Sequence, residues 1–258
     1  MAYREFPQPS PHVACLWIAD SPAAGSARRV LPDACVDLVW VGDRLVVAGP
    51  ATGPVLSRLP PGMPSLGVRF RVGAAGAVLG LPANELLDAM VPTEEVWGDE
   101  GARLEDRLAA APTPAERLRA LAGGVAARLP GAGLDPAVRA AAVTLNRPEA
   151  RVERFARAAG IGERYLRRRF ADAVGYGPKT LQRILRFQRF LALARTDTPD
   201  LARLALEAGY ADQAHLTREC GRLSGLTPAA LLASGAWPAG ERSDSFKTAR
   251  PAHGRIAA

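Results

Sequence analysis

The chain has 258 residues, 48% hydrophobic and 23% charged, enough for one or two domains with a sizeable core. No apolar run approaches the roughly 20 residues that span a bilayer, and the start lacks the basic-then-apolar layout of a signal peptide. A cytoplasmic protein with no membrane partner is therefore expected, and Cys15, Cys35, Cys220, His12, His215 and His253 have no metal-ligand spacing, so neither disulfides, nor zinc, nor any cofactor is indicated.

In chain order, the first half reads as short strands at 13–19, 34–41, 45–48, 55–59 and 66–71, separated by Gly, Pro and Asp. Leu66, Val68 and Phe70 alternate with Gly67, Arg69 and Arg71, which predicts a half-buried strand. Pro60-Pro61-Gly62 predicts a turn before it. Evenly spaced strands of this kind predict a small β-barrel or sandwich, cupin-like in outline. After Gly73 the period changes, and helices are expected at 74–79, 83–89, 100–110 and 113–129. The last begins with Thr113-Pro114-Ala115-Glu116, a capping box with Pro at the first helical position. Pro130-Gly131-Ala132-Gly133 reads as a linker and hinge, and Asp135-Pro136 starts another helix to about Asn146.

The C-terminal third then carries one helical pattern twice. Ala156, Leu166, Arg168, Phe170, Gly175, Pro178 and Leu181 pair with Ala205, Leu216, Arg218, Cys220, Gly225, Pro228 and Leu231. Each copy reads as helix, Gly turn, second helix, Gly stop and Pro restart, the punctuation of a helix-turn-helix unit. A long helix from about Thr180 to Arg195 joins the two. The net charge of +7 is concentrated here: residues 146–233 hold 16 Lys/Arg against 9 Asp/Glu, whereas residues 1–145 hold 13 against 15. A basic excess on the repeat suits phosphate binding, so double-stranded DNA is the expected partner.

The segment 135–233 resembles the DNA-binding domain of AraC/XylS-type transcriptional regulators, on Gly209-Tyr210-Ala211-Asp212-Gln213-Ala214-His215-Leu216-Thr217-Arg218, on Gly175-Tyr176-Gly177-Pro178-Lys179 and on Arg186. Cys220 stands where that family usually has Phe, and Gly162 where an N-capping Ser is common. Leu31-Pro32-Asp33-Ala34-Cys35-Val36-Asp37-Leu38-Val39, Gly67-Val68-Arg69-Phe70-Arg71 and Leu79-Gly80-Leu81-Pro82 resemble a domain of unassigned role often fused to such regulators. The resemblance implies a sensing or dimerising module at 1–130, a double helix-turn-helix domain at 131–234, a disordered tail at 235–258, and hence an α+β chain that is not an enzyme. It also implies RNA polymerase and a small-molecule effector as further partners, and a homodimer.

On a helix over 163–174, Leu166 and Phe170 face inward while Arg164, Arg167 and Arg168 face outward. By the family motif these three read bases, and Arg suits guanine O6 and N7. Arg168 can also make a structural contact within its unit, and Arg169 could reach phosphate. In the second unit Gln213, His215, Thr217 and Arg218 surround Leu216, with Gln suited to adenine and Thr to a thymine methyl. His215 is expected at a phosphate or in a structural contact, and Lys179 at a phosphate beside a helix N-terminus. Trp17, Cys35, Trp40 and Phe70 are expected inside the N-terminal barrel, as plain core or as the wall of a ligand pocket. Asp33 and Asp37 share a strand face without a catalytic partner, so paired-carboxylate chemistry is not expected. The Leu/Val stripe of helices 100–129 could pack on the barrel or against a second subunit. Two alternatives stay open at this point: a DNA-repair alkyl acceptor fused to a DNA-binding unit, and a non-specific nucleoid binder.

Overall fold

The computed structural model describes residues 3–20, 28–57, 64–195 and 200–234. The end of the strand expected at 55–59, the Pro60-Pro61-Gly62 turn and the tail 235–258 lie outside the described residues. The chain is α+β, with an antiparallel sheet and helices first and a helical region after. Strands β1 (Tyr3–Pro7), β2 (Val13–Ala19), β4 (Asp37–Val41), β5 (Arg44–Ala48), β7 (Ser65–Phe70) and β8 (Met90–Pro92) form one sheet in the order β1-β2-β7-β4-β5-β8. Strands β3 (Arg28–Val30) and β6 (Val55–Ser57) form a separate antiparallel ribbon.

Both faces of the larger sheet are covered. Leu38, Trp40, Leu66, Val68 and Phe70 lie on the face that packs under α1 (Ala75–Leu79), α3 (Asp99–Ala110) and α4 (Pro114–Arg128). Cys15, Trp17, Ala19 and Val39 form a smaller cluster on the other face. Trp17 fits there because position 67 is glycine; a Cβ at 67 would fall 2.6 Å from the Trp17 ring. A short α2 (Thr93–Trp97) follows β8. The helix expected at 83–89 stops after one 3-10 turn, Ala83–Leu86, because Asp88 takes a left-handed backbone with φ of 56°.

Arg69 corrects the half-buried reading of β7, since all six residues of that strand are buried. Its guanidinium grips Asp37 through Nε at 3.0 Å and Nη2 at 2.8 Å, with Asp33 at 3.2 Å and Glu5 at 3.6 Å. Burial alone would lower the Arg69 pKa, but Asp37 and then Asp33 hold it well above its ordinary value. Asp33 and Asp37 are thus an ion cluster that joins the two N-terminal segments singled out above. The Leu/Val stripe of α3 and α4 (Leu104, Leu108, Leu118, Leu121, Val125) is spent on the sheet, which leaves it no surface for a second subunit.

The helical region holds α5 (Pro136–Leu145), α6 (Val152–Ala158), α7 (Glu163–Val174), α8 (Pro178–Leu193), α9 (Leu201–Ala208), α10 (Gln213–Ser224) and α11 (Pro228–Ser234). Asp135 caps α5, accepting from the Ala137 and Val138 amides at 2.8 and 3.1 Å. One buried cluster runs through these helices and takes in Leu31, Ala34 and Val72 from the N-terminal region. The two regions also meet where Gln188 Nε2 donates to the Pro32 carbonyl at 2.5 Å.

Candidate nucleic-acid interface

The repeat becomes two helix-turn-helix units, α6–α7 and α9–α10, joined by α8. Within each unit the first helix ends at a left-handed glycine, Gly160 or Gly209, where an L side chain would be strained. Two residues separate Gly160 from α7 and three separate Gly209 from α10, which is the extra turn residue of the second copy. Leu166, Phe170 and Val174 bury the inner face of α7; Leu216, Cys220 and Leu223 do the same for α10. Cys220 fills the position of an aromatic as a fully buried thiol, with Sγ 3.5 Å from Ser224 Oγ.

Arg164, Arg167 and Arg168 all lie on the exposed face of α7. Between them stands Tyr165, 45% exposed, which helical periodicity alone does not single out. Its ring is flanked by the guanidinium carbons of Arg168 at 5.6 Å and Arg169 at 5.5 Å, so it holds Arg168 in place. Tyr beside the inward Leu166 was the available signal, since an aromatic there has nowhere to pack inward. Arg169 is not free for phosphate: it forms an ion pair with Asp135, the cap of α5. Burial would raise the Asp135 carboxyl, but the Arg169 hydrogen bond and the Val138 amide bring it below the ordinary value.

On α10, Gln213 and Arg218 are exposed, while His215 and Thr217 are half-buried. Asp212 caps the helix by accepting from the His215 amide at 2.6 Å. The His215 ring stands edge-on to Tyr210 at 5.2 Å, and its Nδ1 accepts weakly from the Ala211 amide at 3.4 Å. Thr217 Oγ1 donates to the Gln213 carbonyl at 2.9 Å, which leaves its methyl available. Gly162 gives α7 no comparable side-chain cap. Lys179, in the first turn of α8, forms an exposed ion pair with Glu153 at 2.7 Å.

Helix α8 fixes the second unit through three arginines on successive turns. Arg183 binds Glu219 at 2.6 Å, Arg186 stacks on Tyr210 at 5.4 Å, and Arg189 donates to the carbonyls of Ala208 and Asn146. Burial would raise the Glu219 carboxyl, but Arg183 and then Arg222 pull it below its ordinary value. These cations hold the fold together, whereas Arg164 and Arg167 of α7 and Arg218 of α10 stand exposed where a polyanion can meet them.

The four residues expected at a ligand pocket do not share one. Trp17 lies on one face of the sheet, Trp40 and Phe70 on the other. Cys35 sits in the loop before β4, where its amide donates to Asp33 at 3.1 Å. A cleft of about 580 Å³ lies elsewhere, lined by Val78, Trp97, Arg103, Leu104, Arg107 and Arg128, with residues 130–132 as one wall. Arg128 covers the Trp97 ring at 4.7 Å and reaches Glu100 at 2.5 Å.

Residues 155–234 match a family model described as a helix-turn-helix domain. The repeat is an AraC-type helix-turn-helix domain. Such a domain is the DNA-binding part of transcription regulators. Residues 7–92, upstream of the AraC-type domain, match a Domain of unknown function (DUF6597). Among solved structures, ToxT from Vibrio cholerae O395 is similar at 10% identity, with a TM-score of 0.44 over 84% of this chain and 95% of that one. An apo substitution variant of ToxT from Vibrio cholerae is 12% identical, with a TM-score of 0.43 over 88% of this chain and 98% of that one. Wild-type Vibrio cholerae ToxT bound to an unsaturated fatty acid is 8% identical, with a TM-score of 0.42 over 88% and 97%. No curated protein matches the chain. Among the described residues no helix is long and apolar enough to cross a membrane.

Proposed function

We propose that the chain is a cytoplasmic, sequence-specific transcription regulator whose AraC-type domain, residues 131–234, reads two successive major grooves on one face of DNA. The observation that carries this is the pairing of two equivalent helices, α7 and α10, each buried on one side and cationic on the other, on the single helix α8. Helix α8 has 16 residues, so it is roughly 24 Å long at 1.5 Å per residue. With the turns at its ends it suits grooves about 34 Å apart. Arg164, Arg167, Arg168, Gln213 and Arg218 would face bases, Thr217 a thymine methyl, Lys179 a phosphate, and His215 its own turn. The alkyl-acceptor alternative loses support, because Cys15, Cys35 and Cys220 are all buried.

Residues 1–130 form the controlling domain in this reading. The cleft beside Trp97 offers Arg103 and Arg107, with Glu100 also on its wall, and contact with the linker, so it suits a small organic ligand with an anionic group better than the Trp17, Cys35, Trp40 and Phe70 set does. A ligand there would shift DNA binding by favouring one arrangement of the linker over another. Fluorescence anisotropy of labelled DNA over a salt series tests the DNA reading: binding should weaken steeply with salt, and no binding at low salt would end it.

A further inference from the structure

The glycines that close the two recognition helices, Gly175 after α7 and Gly225 after α10, are equivalent positions of the repeat, with φ of +94° and +73°. Both rest on the same short segment of the N-terminal region. A Cβ at Gly175 would fall 2.3 Å from Pro50 Cγ and 3.1 Å from the Ala83 carbonyl oxygen. A Cβ at Gly225 would fall 3.3 Å from Arg29 Nη1 and 3.8 Å from Pro54 Cγ. Arg29 Nη1 also donates to the Ser224 carbonyl at 2.7 Å, placing a cation on the negative end of α10. Pro50 and Pro54 thus stand four residues apart in one loop and touch one unit each.

That loop is built to be stiff. Proline restricts the backbone at both ends. Gly49 lies so close to the Leu86 carbonyl that a Cβ would overlap it at 1.7 Å, and its amide donates to Ala89 at 2.9 Å. Thr52 donates to both oxygens of Asp88, from its amide and its hydroxyl, each at 2.6 Å. The Asp88 amide returns a bond to the Pro50 carbonyl at 3.0 Å, from the left-handed backbone that ends the 83–86 turn. Beyond Pro54 the chain enters β6, whose Leu56 pairs with Arg29 of β3. Arg29 and Pro54 are therefore tied into one ribbon, and both lie beside Gly225.

We propose that residues 49–54 and Arg29 form a strut that fixes the separation of the two recognition helices and so sets the half-site spacing the protein accepts. This rests on the two-groove reading above. Helix α8 joins the units on its own, and the strut adds a second connection that resists bending and twisting between them. The strut meets the C-terminal ends of α7 and α10. Arg164 and Gln213 lie eleven and twelve residues back from the two glycines, roughly 16–18 Å at 1.5 Å per residue, so the readout ends point away from it. The first unit is also docked where α7 packs against α1 and the 83–86 turn. The second unit meets the strut at Arg29 and Pro54, which makes Arg29 the positioning residue with the most leverage.

Two readouts test this on the full-length chain. Spin labels on Arg164→Cys and Ala214→Cys, both exposed, report the separation of α7 and α10 by double electron–electron resonance, because Cys15, Cys35 and Cys220 are buried. The parent should give one narrow distance distribution; Arg29→Ala and Asp88→Ala should broaden it, and Arg29→Lys should largely restore it. A site selected from randomised DNA is then compared with the same site carrying one extra base pair between its halves. The parent should bind the longer site about tenfold or more weakly, the size of a lost base contact. Arg29→Ala should shrink that penalty to about threefold or less while binding each isolated half-site as the parent does. An unchanged distribution and an unchanged spacing penalty in Arg29→Ala, a surface change that does not depend on Asp88→Ala folding, would overturn the strut. Failure of the parent to select any DNA would overturn the DNA reading instead, with the distance measurement still standing.

Discussion

Replacing Gly175 by Ala, beside Gly160→Ala as a reference, separates backbone strain from the packing of the AraC-type domain on the N-terminal region. Both glycines have positive φ, +94° and +64°, so Ala costs about 1–2 kcal/mol at either place through its left-handed backbone. Around Gly160 nothing lies within 4 Å of an added Cβ, and that cost should be the whole effect. At Gly175 the Cβ would meet the rigid Pro50 ring at 2.3 Å and the Ala83 carbonyl at 3.1 Å. Overpacking of this kind costs about 1–3 kcal/mol more, giving about 2–5 kcal/mol in total. Urea unfolding followed by far-ultraviolet circular dichroism reports mainly the helices, and tryptophan fluorescence in a Trp237→Phe background reports Trp17, Trp40 and Trp97 in the N-terminal region. Gly175→Ala should lose more stability than Gly160→Ala and pull the two transitions apart as the regions uncouple. Equal losses in the two variants, with both signals still coincident, would refute the packing described between Pro50 and Gly175.

Arg167→Ala should cost about 1–3 kcal/mol on a selected site and relax one or two base positions, whereas Lys179→Ala should weaken all sequences alike and flatten the salt slope by about one. Anisotropy titrations on selected and random DNA check both, and equal losses on the two DNAs for Arg167→Ala would mark it as a phosphate contact only. Glu219 titrates below its ordinary 4.5 when folded, so its stabilisation is present above about 4.5 and is lost as pH falls below that value. Thermal melts of Glu219→Gln should therefore show a lower Tm at neutral pH and a shallower fall in acid than the parent. Arg69→Leu should cost about 3–5 kcal/mol by leaving Asp37, Asp33 and Glu5 without their shared cation, and Arg69→Lys should recover little because it cannot grip Asp37 at two points. A urea midpoint unchanged by Arg69→Leu would contradict that assignment.

The repeat was legible because its signals are local. Gly and Pro end and restart each helix within a few residues, and α7 occupies the expected 163–174. The capping box at Thr113 and Glu116 forms as read, with the Thr113 hydroxyl accepting from the Glu116 amide at 3.2 Å. What escaped depends on segments distant in sequence. Strand β1 is short, shows no buried-and-exposed alternation of apolar residues, and becomes a strand only by pairing with β2. Arg69 alternates as a solvent-facing residue would, yet carboxylates from three other places converge on it. The helix at 83–89 breaks because Asp88 serves Thr52, thirty-six residues earlier. Arg169, Arg183 and Arg189 raise the basic count of the repeat as much as Arg167 does, and only their partners at Asp135, Glu219 and Ala208 show that they work inside the fold. Trp17 and Trp40 likewise read as one aromatic set until the pleat of the sheet puts them on opposite faces.

Selection of bound DNA from a randomised duplex library by the full-length chain tests the central claim most directly. Two-groove reading by α7 and α10 predicts an enriched motif in two blocks whose centres lie about 10 base pairs apart, one of them G-containing. Substituting Arg167 should erase information in one block, and substituting Gln213 in the other. A library that emerges without sequence enrichment, bound as tightly as its starting pool, would contradict the account.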